Sequence, residues 1–297
     1  MLDLSIIIVS FNTEKLTLDC IKSILSSNPK IKYEIILIDN ASNDSTVKKI
    51  SNLKPKNIRI IKNSENLGFA KANNQGMKIA KGRYILLLNS DTKLNDDILT
   101  NMTNWMEENK NVGIASCALK NKDNSFQGTG GFFPSLPKIF SWMFFLEDIP
   151  FLDSIIKPFH PYHPNSPFYK GENFYKKEHE QDWVTGAFFF VRRKVIDDIG
   201  LFDEKYFMYV EEVDFCLRAK KKGWKVFFTP IGAVTHYGGA SGTSDFSIIA
   251  EFNGIKYFFQ KNYPKWQYPI LLLMLKLGSL IRSFFKGAVY AKTFKEI

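Results

Sequence analysis

The stretch YILLLNSDT, residues 84–92, runs five apolar side chains directly into Asn89-Ser90-Asp91-Thr92. A short apolar run of this kind suits a strand covered on both faces, and its abrupt polar stop puts a carboxylate, Asp91, at the strand's carboxyl end. Two earlier runs repeat the design: residues 5–9 stop at Ser10-Phe11-Asn12, and residues 34–38 stop at Asp39-Asn40. Between them the pattern predicts helices over 14–25, after Asp44 and over 69–80, with a further short strand at 58–62. This β-α-β alternation needs right-handed crossovers. The expected fold is therefore α/β: a Rossmann-like, mostly parallel sheet with helices on both faces. Ligands of such sheets bind outside the carboxyl ends of the strands, so the polar stops converge on one crevice.

Downstream, a helix over 96–108 and a strand over 112–119 lead into residues 128–180, rich in Pro, Phe, Tyr and His. That region reads as an insertion. Regular pattern resumes with a strand at 188–192, a helix at 211–222 and a strand at 225–229. The expected organisation is one α/β domain over 1–245, in which an insertion (121–182) separates a first half (1–120) from a second (183–245). A C-terminal helical segment, 246–297, follows.

The net charge of +10 favours polyanionic partners such as nucleic acid, anionic lipid or phosphorylated small molecules. Cys20, Cys117 and Cys216 are widely spaced and include no CxxC pair, which argues against a disulfide framework or a thiolate zinc site. The first residues read as a strand rather than a signal peptide, and a reducing cytosol is the expected compartment. Residues 268–285 are strongly apolar but interrupted by Lys276 and Arg282, a pattern that reads as interfacial rather than spanning. An aromatic block at 132–134 and 139–146 stands inside the insertion. Taken singly, either block is more simply core. Together with the positive charge they suggest peripheral contact with an anionic membrane surface, on the inner face of the cell membrane.

Four constellations carry candidate chemistry. Residues 39–45 offer carboxylate and amide acceptors to a nucleobase or ribose, although a capped turn alone would look the same. Asp91 could hold Mg²⁺ or Mn²⁺ against a diphosphate. Glu211, Glu212 and Asp214 crowd the start of a helix, where dipole complementation explains only one or two acids. Asp214 can pair with Arg218 at i,i+4, leaving Glu211 and Glu212 freer, and mutual repulsion would raise one pKa toward that of a useful base. Finally, His236 precedes Gly238-Gly239-Ala240-Ser241, a flexible backbone able to approach phosphates.

Taken in order, SIIIVSFN (5–12), LIDNASNDST (37–46), ENLGFAKANNQG (65–76), LLLNSDT (86–92), WVTGAFFFVRR (183–193), GLFDEKYFMYVEEVDFCLRAKKKGW (200–224) and HYGGAS (236–241) resemble the family 2 glycosyltransferases of GT-A fold, in particular a bacterial rhamnosyltransferase-like branch. The resemblance implies an inverting transfer from a nucleotide diphosphate sugar, dTDP-rhamnose by branch, to a hydroxyl of a lipid-linked saccharide acceptor, with Mn²⁺ or Mg²⁺ as cofactor. It implies a donor side formed by Ser10, Asn12, Asp39, Asn40, Asn66, Gly68, Asn73, Asn89 and Asp91, and a metal held by Asp91 and His236. Trp183, Thr185 and Gly186 would line the acceptor side, and Glu212 would be the base, with Glu211 and then Asp214 behind it.

Three departures from the family's pattern matter. The second acid of the Glu-Asp pair is a glutamate, Glu212. Asn89 occupies the first acid position of the metal motif. Asn73 stands where many relatives carry Arg, which removes a charged contact to the diphosphate. Loss of a metal ligand at Asn89 opens a competing reading, a nucleotide-sugar-binding module with weak catalysis. No nucleic-acid reader motif accompanies the basicity, so nucleic acid is not expected as a partner.

Overall fold

Alternation along the first strand, β1 (Leu2–Ser10), sets the two layers of the core: Ile7 joins one apolar cluster, while Ile6 and Ile8 join the other. The computed structural model describes residues 2–53, 57–149, 152–159, 174–238, 244–286 and 288–297. The first half follows the expected alternation: α1 (Glu14–Ser26), β2 (Tyr33–Asp39), α2 (Thr46–Asn52), β3 (Ile58–Lys62), α3 (Phe69–Ile79) and β4 (Gly82–Leu88). Then come β5 (Thr92–Leu94), α4 (Ile98–Glu108), β6 (Val112–Lys120), β7 (Phe126–Gln127), β8 (Gly130–Gly131), α5 (Leu136–Met143) and α6 (Leu152–Ile155). The chain continues through β9 (His179–Glu180), β10 (Trp183–Val184), β11 (Phe188–Arg192), α7 (Arg193–Ile199), α8 (Glu211–Lys221) and β12 (Lys225–His236). It ends in α9 (Ser244–Asn262), α10 (Gln267–Lys286) and α11 (Ala288–Glu296).

The main sheet is ordered β3-β2-β1-β4-β11-β6-β12-β5. Strands β3, β2, β1 and β4 are parallel, as are β6 and β12, but β11 is antiparallel to both β4 and β6. The reason lies in the connection. Segment 121–182 leaves from the carboxyl end of β6 and returns at that same edge, so β11 enters the sheet from the opposite direction to a helical crossover. Buried residues of α1 and α4, such as Ile21, Ile24, Ile98 and Met102, cover one face. Those of α3, α5, α8 and α9 cover the other.

β12 is longer than the expected 225–229. It runs on to His236 past Pro230, and its register on β6 shifts between Phe228 and Ala233. An irregularity there fits a residue that has no N–H to give the ladder. The extension is what brings His236 opposite Thr92 of β5.

The C-terminal helices are packed on the domain. Phe252, Ile255, Phe258 and Phe259 of α9 are buried in the same cluster as Ile7 and Phe189. Leu271, Leu275, Ser279 and Arg282 form the inward face of α10. Arg282, which interrupts the apolar run in sequence, is turned inward: its guanidinium donates to the Trp142 and Met143 carbonyls at the end of α5 and lies 4.3 Å from the Phe145 ring. These carbonyls belong to the last turn of a helix, a site that favours cations. Lys276 sits over the Phe294 ring of α11. Much of the aromatic block is therefore core, since Ile139, Trp142 and Met143 are buried beneath α10. Outside, besides Phe140, lies a stripe of α10 and its approach: Trp266, Ile270, Leu273, Leu277, Ile281 and Phe284 are all exposed, Leu273 by 59% and Phe284 by 79%, with Leu280 and Phe285 beside them. Among the described residues, 267–285 form the one helix long and apolar enough to cross a membrane, by length and composition alone.

Candidate active site

Parallel pairing puts Ser10 directly beside Asp39, and β4, which ends at Leu88, hands Asn89 to the same edge. Ser10 is fully buried, and its hydroxyl shares hydrogen bonds with Thr13 (3.1 Å) and Thr17 (2.9 Å). Thr13 reaches Ser90 at 3.2 Å, so a hydroxyl cluster ties the first loop to the Asp91 turn. Asn12, at φ 54°, ties the same loop to the second one: its N–H donates to Ser42 Oγ (3.0 Å), and its Oδ1 accepts from the Asn43 N–H (2.8 Å).

Asp39 is 4% exposed, and its Oδ1 is buried with no hydrogen-bond partner in the protein. A buried carboxylate oxygen with no partner in the protein is able to accept from a ligand donor. Its neighbour Asn40 has no such freedom. The Asn40 N–H donates to the Ser10 carbonyl (2.8 Å), its Nδ2 donates to Asn66 Oδ1 (2.6 Å), and its Oδ1 accepts from the Leu67 N–H and Asn63 Nδ2. Asn66 Oδ1 also accepts from the Gly68 N–H (3.0 Å). These amides brace the loop that enters α3. Gly68 has φ +79°, and a Cβ there would lie 2.4 Å from the Phe207 carbonyl oxygen, so the position requires glycine on two grounds. Asn73 is buried, with its Nδ2 donating to the Phe69 carbonyl of its own helix (3.0 Å).

Asp91 and His236 come together. His236 Nε2 lies 3.3 Å from Asp91 Oδ1 and 3.4 Å from Asn89 Nδ2. The Tyr237 N–H donates to the Asp91 carbonyl (2.9 Å), which locks the end of β12 to the Asp91 turn. The other imidazole nitrogen, Nδ1, is 2.8 Å from Gln127 Oε1. Gln127 Nε2 is itself committed as a donor, to the His236 carbonyl (2.8 Å) and to Asn121 Oδ1 (2.6 Å), so its oxygen must accept. His236 Nδ1 is therefore placed to donate to Gln127, and Nε2 faces the Asp91 carboxylate. Two donors on one octahedral cation, at about 2.1 Å and a right angle, stand about 3 Å apart. The Asp91–His236 pair fits that spacing. Among the described residues no third His, Cys, Asp or Glu completes a metal-binding group. Of the glycine-rich stretch after His236, residues 239–241 lie outside the described residues.

Before α8, Tyr209 and Val210 both adopt left-handed backbone, at φ 70° and 71°. For a β-branched residue this is a costly conformation, held only by its surroundings. Here α9 holds it. Gly254 lies so close that a Cβ would sit 2.8 Å from Val210 Cγ2 and 2.9 Å from the Tyr209 carbonyl oxygen, and the Tyr209 hydroxyl bonds Ser247 Oγ at 3.0 Å. The turn delivers three acids to three environments. Asp214 is fully buried, accepting from Arg218 (2.9 Å), Lys261 (2.9 Å) and Asn262 (3.2 Å), so the expected pairing with Arg218 extends to a second cation. Glu211 is 3% exposed with Oε2 unpartnered, and burial, then the adjacent Glu212, hold its carboxyl well above the usual range. Glu212 is partly accessible while its Oε2 is buried and unpartnered. Burial, with the charge of Glu251 on α9 adding to it, pushes the Glu212 carboxyl up to about 7, against an opposing contribution from the Gly186 N–H.

Of the residues expected to line the acceptor side, Thr185 donates its N–H to the Thr129 carbonyl (3.0 Å), and Gly186 packs on the Phe69 ring. Trp183 is more core than surface: it is 5% exposed, with its indole N–H on the Phe132 carbonyl (3.3 Å) and its ring 6.0 Å from that of Phe159.

Sequence reading missed Gln127 and the braces from α9. Gln127 lies in what read as an irregular insertion, and only the pairing of β7 with β6 sets it beneath His236. No local spacing signals that contact.

A family model described as Glycosyl transferase family 2 matches residues 5–200, and one described as Glycosyltransferase like family 2 matches residues 166–252. The chain is 26% identical over 254 residues to an N-acetylglucosaminyl-diphospho-decaprenol L-rhamnosyltransferase of Mycobacterium tuberculosis, covering 80% of this chain and 78% of the relative. It is 39% identical over 106 residues to the UDP-Glc:alpha-D-GlcNAc-diphosphoundecaprenol beta-1,3-glucosyltransferase WfaP of Escherichia coli, covering 36% of this chain and 42% of the relative. The solved structure of the mannosyltransferase PcManGT from Pyrobaculum calidifontis, in complex with GDP-Man and Mn2+, superposes with a TM-score of 0.58 at 15% identity, over 99% of this chain and 76% of that one.

Proposed function

The chain belongs to glycosyl transferase family 2, as a glycosyltransferase of GT-A fold, and on that premise we propose that it performs an inverting transfer with Glu212 as the base. The donor is a nucleotide diphosphate sugar and the acceptor a hydroxyl of a lipid-linked saccharide. The observation that carries this reading is the contrast among the three acids of α8. Asp214 is bound by two cations, Glu211 is closed off, and Glu212 alone combines partial access with a carboxyl poised near neutral pH. A base with its pKa near the working pH is both deprotonated often enough and basic enough to take a hydroxyl proton.

In this mechanism Glu212 accepts the acceptor's proton as its oxygen attacks the anomeric carbon from the face opposite the diphosphate. Glu211, kept neutral by burial and by its neighbour, adds no second charge at the site. Asp39 Oδ1 supplies an acceptor for a base N–H or a ribose hydroxyl. Asp91 Oδ1 and His236 Nε2 would hold Mn²⁺ or Mg²⁺, and Gln127 keeps the histidine in the tautomer that leaves Nε2 free. A bound cation there neutralises charge developing on the departing diphosphate. Asn89 contributes an amide to the same nitrogen and no negative charge. Asn40, Asn66, Gly68, Ser10 and Asn12 serve this reading by shaping the crevice.

The exposed stripe of α10 supports peripheral attachment to a membrane face, which suits a lipid-linked acceptor. Rhamnose as the donated sugar is favoured by the mycobacterial relative, an L-rhamnosyltransferase, and dTDP as its carrier by the family branch alone. A thermal-shift panel of nucleotide sugars with and without Mn²⁺ tests the donor side, because a ligand that binds only the folded state raises apparent stability with its affinity. A metal-dependent shift for one donor, lost in Asp39→Ala, is expected. No shift with any donor would contradict the reading.

A further inference from the structure

A cavity of about 420 Å³ lies outside the crevice described so far, between residues 205–208, α9 and α11. Its walls include Phe207, Met208, Phe246, Ile249 and Tyr257, and two lysines, Lys205 and Lys292, border it, with no acidic residue in the lining among the described residues. Phe207 and Phe246 are exposed and meet edge to face with ring centroids 6.0 Å apart. Lys205 extends over the Tyr257 ring at 5.6 Å. The cavity is thus apolar inside, cationic at its border and open to solvent through aromatic side chains.

Its position ties it to the chemistry. Gly254 belongs to its wall and is also the residue pressed against Val210, and residues 206–208 run directly into the left-handed turn that delivers Glu211 and Glu212. An occupant would lie one turn of backbone away from the base. We propose that this cavity binds the lipid end of the acceptor, a prenyl chain whose diphosphate is met by Lys205 and Lys292. The assignment rests on the lipid-linked acceptor reading above.

Charge complementarity selects this occupant. A neutral acyl chain would make no use of the two ammonium groups, and a nucleotide would set its polar base against Met208, Phe246 and Ile249. At about 420 Å³ the cavity has room for the prenyl units nearest the diphosphate. Longer tails would leave the cavity past Phe207 and Phe246. The side chains contribute in separable ways, the aromatics through apolar contact and the lysines as point charges on phosphate.

Isothermal titration of the full chain with farnesyl diphosphate, inorganic pyrophosphate and farnesol separates those contributions. Farnesyl diphosphate is expected to bind, with affinity lowered at least tenfold both by Asn253→Trp, which fills the cavity from an exposed helical position, and by the paired change Lys205→Glu with Lys292→Glu. Pyrophosphate binding is expected to respond to the lysine changes and not to Asn253→Trp, and farnesol the reverse. Absence of farnesyl diphosphate binding to the wild type, or equal binding by Asn253→Trp, would overturn the assignment. Thermal shifts with the nucleotide sugar, run on the same samples, confirm that each variant is folded. They also separate the two readings, since donor binding without prenyl diphosphate binding removes this cavity's role and leaves sugar transfer standing.

Discussion

Glu211 and Glu212 are neighbours in the chain yet face different surroundings at the first turn of α8, and that difference fixes what each can do. Replacing Glu212 by Gln should lower transfer by about 10²- to 10⁴-fold, the usual contribution of a general base, while nucleotide-sugar thermal shifts persist. In the wild type, kcat/KM should rise from the acid side with an apparent pKa of about 7, a property of the coupled pair. Stability moves the other way. A carboxyl whose folded pKa of about 7 exceeds its ordinary 4.5 binds its proton more tightly when folded, so its contribution turns destabilising as pH climbs through that window. Glu212→Gln should therefore gain melting temperature over the wild type at about pH 8 and show little gain near pH 4. At the metal side, Gln127→Leu removes the acceptor for the His236 Nδ1 proton. Mn²⁺ affinity, read by electron paramagnetic resonance of the free ion, should weaken by about 10- to 100-fold. Asp39, Asp91 and the glutamate pair were legible in sequence because an acid at a strand end or helix start is a local pattern. Gln127 was not, because its role arises only from a two-residue strand paired across the sheet.

Among the elements, α9 does the most that sequence did not foretell. It read as the beginning of an appended segment, but its Gly254 and Ser247 clamp the strained Tyr209–Val210 turn, and Phe252, Phe258 and Phe259 fill the core beside it. Gly254→Ala should cost about 1–3 kcal/mol in denaturant unfolding, since overpacking forces the turn or the helix to move, and should lower kcat more than it alters donor binding. Periodicity made β1 to β4 and their helices plain, because a covered parallel strand is a continuous apolar run with a polar stop. It gave less for β11, whose antiparallel direction follows from the path of the insertion rather than from its own residues. The length of β12 was hidden as well, because Pro230 reads as a strand end and the irregularity that tolerates it leaves no sequence signal. Arg282 shows the same limit: as a charge in an apolar run it read as an interruption, whereas in the fold it caps α5 and leaves the outer stripe of α10 unbroken.

At the scale of the whole molecule, the three C-terminal helices join the Tyr209–Val210 turn to the exposed apolar stripe of α10. Deleting them would expose the core, so surface substitutions test that surface more cleanly. Leu273→Glu with Phe284→Glu should leave the melting temperature unchanged and reduce co-sedimentation with anionic phosphatidylglycerol vesicles by about tenfold or more, each lost apolar contact being worth about 1.5–3 kcal/mol when fully buried. Equal sedimentation would remove α10 from membrane contact. The claim that joins residue, element and fold is inverting sugar transfer driven by Glu212. It is tested most directly by nuclear magnetic resonance of the product formed from the stabilising nucleotide sugar and a prenyl-diphosphate saccharide in the presence of Mn²⁺, with wild type and Glu212→Gln compared side by side. An inverted anomeric configuration from the wild type, and at least about 100-fold less product from the variant, is the expected result; a retained configuration, or undiminished product from Glu212→Gln, would contradict it.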